Sequence, residues 1–144
     1  MQSKTIPPNA LMLGYSGVIP FAAMVVLLAL DTTGTRQLVL DGFLIYSAVI
    51  LSFLGGIRWG AAASASSNST RGLAVSVLPS LWAGLFLWWP SDHVSAWGLM
   101  SGFILMGLAD CFYPGLKVAR WMQPLRMRLT LAVVACHLLV IMVM

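Results

Sequence analysis

Charged residues are scarce in this sequence of 144 residues, and one kind is missing altogether. Only 8% of the chain is charged, and glutamate is absent, so its four acidic residues are all aspartates. The sequence shows no paired-carboxylate site, no glycine-rich phosphate loop and no nucleophile–base–orienter pattern. Enzymatic function therefore has no positive support. We expect a non-catalytic protein that needs no cofactor.

Cysteine and histidine are also rare, with two residues of each. Cys111 and Cys136 lie within or beside apolar runs, without the spacing of a metal site or the density of a secreted disulfide scaffold. Buried thiols are the usual state of such free cysteines. His93 and His137 are far apart in the sequence and lack the clustering that metal sites require. We expect no metal site.

Apolar residues make up most of the chain. They account for 60% of it, and the mean hydropathy is +0.92, far outside the usage of soluble globular proteins and typical of a polytopic membrane protein. The net charge of +4 does not indicate nucleic-acid binding, because the basic residues are scattered at the ends of apolar runs and form no recognised binding motif. The lipid bilayer is the partner that this composition predicts.

Five apolar runs are candidates to cross a bilayer, which takes roughly 20 residues per helix. Pro20 is expected to kink the first run, and Pro79 lies within the third. The uncharged part of the last run is short, so we expect Arg126 and Arg128 to snorkel to the interface at its start. The predicted fold is all-α, a single bundle of five transmembrane helices. These helices span about residues 11–30, 42–63, 72–89, 94–113 and 125–144.

Basic residues are distributed unequally between the two sides of such a bundle. If the amino terminus is cytoplasmic, six of the flanking bases lie on that side and only Arg36 lies outside. Cytoplasmic loops of membrane proteins carry an excess of this kind. The sequence therefore predicts an N-in/C-out topology. The six residues are Lys4, Arg71, Lys117, Arg120, Arg126 and Arg128.

Two opposite charges lie inside the apolar runs, Arg58 in the second and Asp110 in the fourth. An arginine near a helix centre costs about 2.5–3.5 kcal/mol on insertion scales. The predicted topology places both residues near the inner leaflet, roughly 3 Å apart in depth. We expect a structural ion pair whose joint replacement by neutral residues is nearly harmless; a transport or ligand-binding role stays open. Candidates for a surrounding polar cluster are Tyr15, Trp59, Ser80 and Thr130.

Glycines accompany both charged residues. Gly56 and Gly60 are four residues apart in the second run, and Gly98 and Gly102 repeat this spacing in the fourth. Gly55 lies on the same stripe as the intramembrane arginine. Small residues at this spacing allow transmembrane helices to approach closely. We therefore predict that all five glycines lie at helix-packing surfaces.

Several blocks of the sequence resemble one family over nearly the whole chain. They are residues 15–21, 50–60, 78–80, 125–126 and 129–130. The chain resembles small bacterial inner-membrane proteins of unknown function (DUF3429-like) that are related to mitochondrial transmembrane protein sixty-nine. The block Phe53–Gly60 is the most specific part. The resemblance implies a multi-pass protein of the bacterial inner membrane with five crossings, but no activity, substrate or cofactor. The position of Arg58 is often histidine in that family, which implies a shared need for a polar cation.

Two functional hypotheses follow from these features. The first is an accessory subunit, or an assembly and stability factor, of a larger membrane complex, with glycine faces as helix docking surfaces. The second is a small carrier, or a lipid- or quinone-binding protein, that uses an inner-leaflet site around Arg58 and Asp110, as a single chain or as a homo-oligomer. An intramembrane enzyme is a third and less favoured class.

Overall fold

The computed structural model describes residues 6–30, 34–64, 70–112 and 121–144. These residues form helices and no strands, and they contain five segments long and apolar enough to cross a membrane. The prediction of an all-α protein with five crossings is thereby confirmed. The helices are α1 (Pro8–Ser16), α2 (Ile19–Leu30), α3 (Arg36–Ala63), α4 (Thr70–Leu87), α5 (Asp92–Phe112) and α6 (Met122–Val143), with α1 and α2 sharing the first crossing.

The helix α3 begins well before its predicted start, because the polar residues of its first turn find partners on other helices. Arg36 donates hydrogen bonds to the carbonyl oxygens of Leu28 in α2, at 3.2 Å, and of Val143 in α6. Gln37 Nε2 donates to Asp92 Oδ2 in α5 at 3.0 Å. Carbonyls at a helix end need such donors. The first turn of α3 therefore ties together one end of the bundle.

The first crossing is broken between α1 and α2, just before the proline that was expected to kink it. Pro20 is the second residue of α2 and has no N–H, so the carbonyl of Ser16 loses its usual donor. At the break, the carbonyl of Gly17 accepts a hydrogen bond of 3.0 Å from the hydroxyl of Tyr46 in α3. The break is thus stabilised by a contact with the second crossing.

An aromatic cluster fills the centre of the bundle. The rings of Phe21, Phe43 and Phe103 surround His137, with ring centroids 5.9, 4.8 and 5.5 Å from the imidazole, and all four side chains are buried. The imidazole Nδ1 lies 2.9 Å from the carbonyl oxygen of Val133. A carbonyl only accepts, so Nδ1 carries the hydrogen. The buried Nε2 has no partner among the described residues.

Glycines set how closely several of these helices approach. A Cβ added at Gly55 would lie 2.7 Å from the carbonyl oxygen of Ser76, where α3 crosses α4. A Cβ at Gly98 would overlap the ring of Phe86, and one at Gly102 would lie 2.5 Å from Leu51 Cδ2. The contact at Gly55 is with the backbone and so sets the distance between α3 and α4, whereas Gly98 and Gly102 make room for side chains of the neighbouring helices.

Candidate functional site: a buried cluster of three charges

The two intramembrane charges that the sequence singles out meet in the structure. Arg58 lies near the end of α3, and Asp110 lies near the end of α5, which runs in the same direction as α3. Arg58 Nη1 donates a hydrogen bond of 2.8 Å to Asp110 Oδ1. The two side chains are 9% and 15% exposed. Each charge thus has a close partner in a place where water is largely excluded.

A third residue, Arg126, completes the cluster from the start of α6. Its Nε lies 2.8 Å from the second carboxylate oxygen of Asp110, and its side chain is 10% exposed. The sequence-based expectation that Arg126 snorkels to the interface is therefore corrected, because the side chain turns inward. The carboxylate of Asp110 lies between two guanidinium groups, and each of its oxygens contacts one arginine.

The cluster carries more positive than negative charge. Arginine stays protonated in proteins, so two guanidinium groups and one carboxylate leave a single positive charge in excess. Arg126 Nη2 is buried and has no hydrogen-bond partner among the described residues. A buried charge without a full set of partners is costly. The arrangement is therefore suited to accept one anionic group.

The helical phase of α6 explains why Arg126 turns inward. Arg126 precedes the buried residues Val133 and His137 by seven and eleven positions, so all three share one face of the helix. Arg128 instead precedes Leu131, which is 63% exposed. This periodicity was present in the sequence and separates the two arginines. The length of the apolar run, by contrast, does not show which of the two arginines faces inward.

The proposed polar cluster around the pair does not assemble. Tyr15 and Trp59 are 41% and 47% exposed, and within the described ranges no hydrogen bond joins them, Ser80 or Thr130 to the charged side chains. Trp59 follows Arg58 directly, so it points about 100° away around the helix. Thr130 does approach α5, where its methyl group packs against Gly107. It contributes packing beside the charges rather than a hydrogen bond to them.

The five glycines predicted at packing surfaces divide into two groups. Gly55, Gly98 and Gly102 make close contacts inside the bundle. A Cβ added at Gly56 or Gly60 would meet nothing within 4 Å, and both glycines are exposed on the outer side of α3. Packing at these two positions therefore requires a helix from outside the part of the chain that the structure describes.

Metal ligands are not gathered anywhere in the described residues. No group of three or more His, Cys, Asp or Glu side chains in these ranges is arranged to hold a metal ion. Cys111 and Cys136 are both free thiols. The residues of the charged cluster themselves offer ionic recognition, with guanidinium donors and a carboxylate that holds them in place.

Comparison with known proteins places the chain in a family. The family model described as a protein of unknown function (DUF3429) matches residues 6–142. Transmembrane protein 69 of Xenopus tropicalis is 33% identical over an alignment of 139 residues, which covers 91% of this chain and 53% of that protein. The chain spans about half the length of this curated relative. No solved structure matches the chain. Because the match extends over most of its length, the chain belongs to the DUF3429 family of proteins of unknown function.

Proposed function

We propose that this multi-pass membrane protein is a non-catalytic accessory subunit, or an assembly and stability factor, of a larger complex in the bacterial inner membrane. The observation that carries the proposal is the outer face of α3, where Gly56 and Gly60 have no contact within 4 Å for an added Cβ. Phe53 and Trp59 lie beside these glycines and are 63% and 47% exposed. We call this surface, Phe53, Gly56, Trp59 and Gly60, the α3 glycine face.

The chemistry of a bilayer favours a transmembrane helix of another protein as the occupant of the α3 glycine face. Lipid tails are as apolar as leucine, so burying more apolar area gives little driving force there. Glycines four residues apart instead allow close backbone approach, and large neighbouring side chains add van der Waals contacts. The bundle already uses Gly55 in this way, and Gly98 and Gly102 make room for side chains within its own packing. Exposed glycines on the outer surface of the bundle would let a partner helix approach in the same manner.

The filled centre of the bundle favours a role in holding partner proteins over a role in passing a solute. Phe21, Phe43, Phe103 and His137 occupy the axis between the helices and are at most 1% exposed. A solute moving along this axis would have to displace their close packing, and protein interiors resist such displacement. A scaffold that presents surfaces to partners needs no such movement.

The test is purification in mild detergent with quantitative mass spectrometry of the proteins that accompany the chain. We expect a defined set of membrane subunits at a constant ratio to the wild type. The double variant Gly56→Leu/Gly60→Leu should reduce that ratio by about tenfold, which corresponds to ~1.4 kcal/mol of lost helix packing. Gly84→Leu is the matched control, since Gly84 is also exposed and meets nothing within 4 Å.

Two outcomes of this purification would contradict the accessory role. One is a lone homo-oligomer with bound lipid or quinone, which supports the carrier alternative. The other is an equal loss of companions in the double variant and in Gly84→Leu, which points to unspecific perturbation of the surface. Thermal melting of all variants in the same detergent shows whether each one is still folded.

The N-in/C-out topology is a further prediction. Arg71, Arg126 and Arg128 lie at the beginnings of α4 and α6, at the same end of the bundle as the charged cluster. Lys4, Lys117 and Arg120 lie outside the described residues. Alkaline phosphatase fused between Lys117 and Arg126 should be inactive, because this segment is expected in the cytoplasm. An active fusion at that position would reverse the orientation.

A further inference from the structure

An apolar groove runs along the outer surface between α4 and α5. Its volume is about 420 Å³, within the range of roughly 300–1,000 Å³ that is usual for ligand sites. Almost all of its wall is apolar, and it is partly open to the surroundings of the bundle. A groove of this kind suits a hydrocarbon chain. Its wall includes Leu78, Trp82 and Leu85 of α4 and Leu105, Met106 and Ala109 of α5.

The groove and the cluster of Arg58, Asp110 and Arg126 adjoin one another along α5. Met106 lies in the wall of the groove and precedes Asp110 by four positions, so the two residues share one face of α5. Ala109, also in the wall, directly precedes Asp110, which is a step of about 1.5 Å along the helix. An apolar surface and an ionic cluster with excess positive charge therefore follow one another along a single helix.

The charged cluster and the apolar groove set different requirements for one ligand. The cluster has one positive charge in excess, and the buried Nη2 of Arg126 lacks an acceptor among the described residues. The planar guanidinium fork matches phosphate oxygens. The groove requires an apolar tail. A phospholipid with a net charge of −1 meets both requirements, because its phosphate neutralises the excess charge and its headgroup adds no cation.

We propose that the cluster of Arg58, Asp110 and Arg126, together with the groove between α4 and α5, binds one anionic phospholipid. The lipid phosphate accepts hydrogen bonds from Arg126, and an acyl chain lies in the groove. Asp110 acts as a positioning residue, since its carboxylate holds both guanidinium groups against α5, the helix that also forms part of the groove wall. A small opening of the cluster brings Nη2 to the phosphate.

This inference goes beyond the proposed docking of a partner helix and does not depend on it. The α3 glycine face lies on another part of the surface, because none of its residues is in the groove wall or in the cluster. Gly56→Leu/Gly60→Leu should therefore leave lipid binding unchanged. Failure of the docking proposal and failure of the lipid proposal are distinguishable with these variants.

The test is native mass spectrometry of the purified full chain, titrated separately with phosphatidylglycerol, phosphatidylcholine and inorganic phosphate. We expect one phosphatidylglycerol per chain, bound about tenfold more tightly than phosphatidylcholine. Arg126→Gln should weaken binding by about tenfold or more, as expected for a lost hydrogen bond between charged groups. The control Arg128→Gln removes the same charge from an exposed position on the same helix and should have little effect.

The fold is expected to tolerate Arg126→Gln, because Arg58 and Asp110 remain as a one-to-one ion pair. Ala109→Phe fills the groove without changing the charge, and Leu105→Trp does so from a more exposed position if the first variant is unstable. Each should weaken phosphatidylglycerol binding by about tenfold, the effect of losing ~1.4 kcal/mol of tail contacts. The matched control is Ala135→Phe, on the exposed side of α6.

Three results would overturn the proposal. Equal binding of phosphatidylglycerol and phosphatidylcholine removes the selectivity for an anionic lipid. Equal losses in Arg126→Gln and Arg128→Gln show diffuse surface attraction instead of a site. Inorganic phosphate that binds as tightly as the lipid, with no effect of either groove variant, identifies a site for a free anion and not for a lipid.

Discussion

Asp110→Asn is expected to be the most destabilising single change in the charged cluster, lowering the free energy of unfolding by about 3–5 kcal/mol. Asp110 is the only acceptor between Arg58 and Arg126 in the described cluster, at 2.8 Å from each. Its neutralisation leaves two buried guanidinium groups facing one another without a counter-charge. The measurement is thermal and denaturant unfolding in detergent. Asp41→Asn is the control, because Asp41 is exposed on α3 and should change stability by no more than about 0.5 kcal/mol.

Replacing Arg58 or Arg126 should lower the free energy of unfolding by less than Asp110→Asn does. Arg58→Met or Arg126→Gln leaves a one-to-one pair, so each should cost about 1.5–3 kcal/mol, the value of a hydrogen bond to a charged group. The sequence alone predicts that Arg58→Met with Asp110→Asn is nearly harmless, but this double variant still strands Arg126. We expect the free energy of unfolding to recover only when all three side chains of the cluster are neutral. If Asp110→Asn proves no worse than either arginine variant, the shared-carboxylate arrangement is refuted.

The second large effect is expected at Gly55, where α3 crosses α4. Gly55→Ala should lower the free energy of unfolding by about 1–3 kcal/mol, as overpacking typically does. The added Cβ would lie 2.7 Å from the backbone oxygen of Ser76 and 3.4 Å from the ring of Pro79. A backbone atom cannot move away by a change of rotamer. The two helices must therefore separate, which loosens contacts along both.

The adjacent Gly56 is the control for this substitution. Gly56→Ala adds the same methyl group to the same helix, but it meets nothing within 4 Å. Its effect should be neutral or stabilising by up to about 1 kcal/mol, the difference in helix propensity between alanine and glycine. Melting curves of the two variants side by side give the comparison. Equal melting temperatures would show that α3 and α4 are not packed as closely as the structure has them.

The architecture could be predicted from the sequence because hydropathy alone defines the crossings. A run of about 20 apolar residues has few alternatives to a membrane helix, since its backbone must be satisfied internally. The predicted start of α3 at residue 42 is too late, because Arg36 and Gln37 resemble loop residues when their partners on other helices are not known. Such contacts are long-range, and no local pattern encodes them.

The candidate site was only partly accessible from sequence. Matching depths on the second and fourth crossings, which run in the same direction, were enough to pair Arg58 with Asp110, because buried opposite charges attract strongly. Depth alone did not distinguish Arg126 from Arg128; the helical phase of α6 does. For Gly55 and Gly56, sequence spacing marks both as packing residues. Which of the two faces the bundle depends on the rotation of α3, and that is set by tertiary packing.

The hydrogen bond between Tyr46 and Gly17 has a consequence for how the protein enters the membrane. When the first crossing leaves the insertion machinery, its broken backbone carries a carbonyl group that lipid cannot solvate. The hydroxyl that binds this carbonyl lies on the next crossing. The first two crossings should therefore enter the bilayer as a helical hairpin. Biogenesis of the bundle would then begin with a pair of helices rather than with a single one.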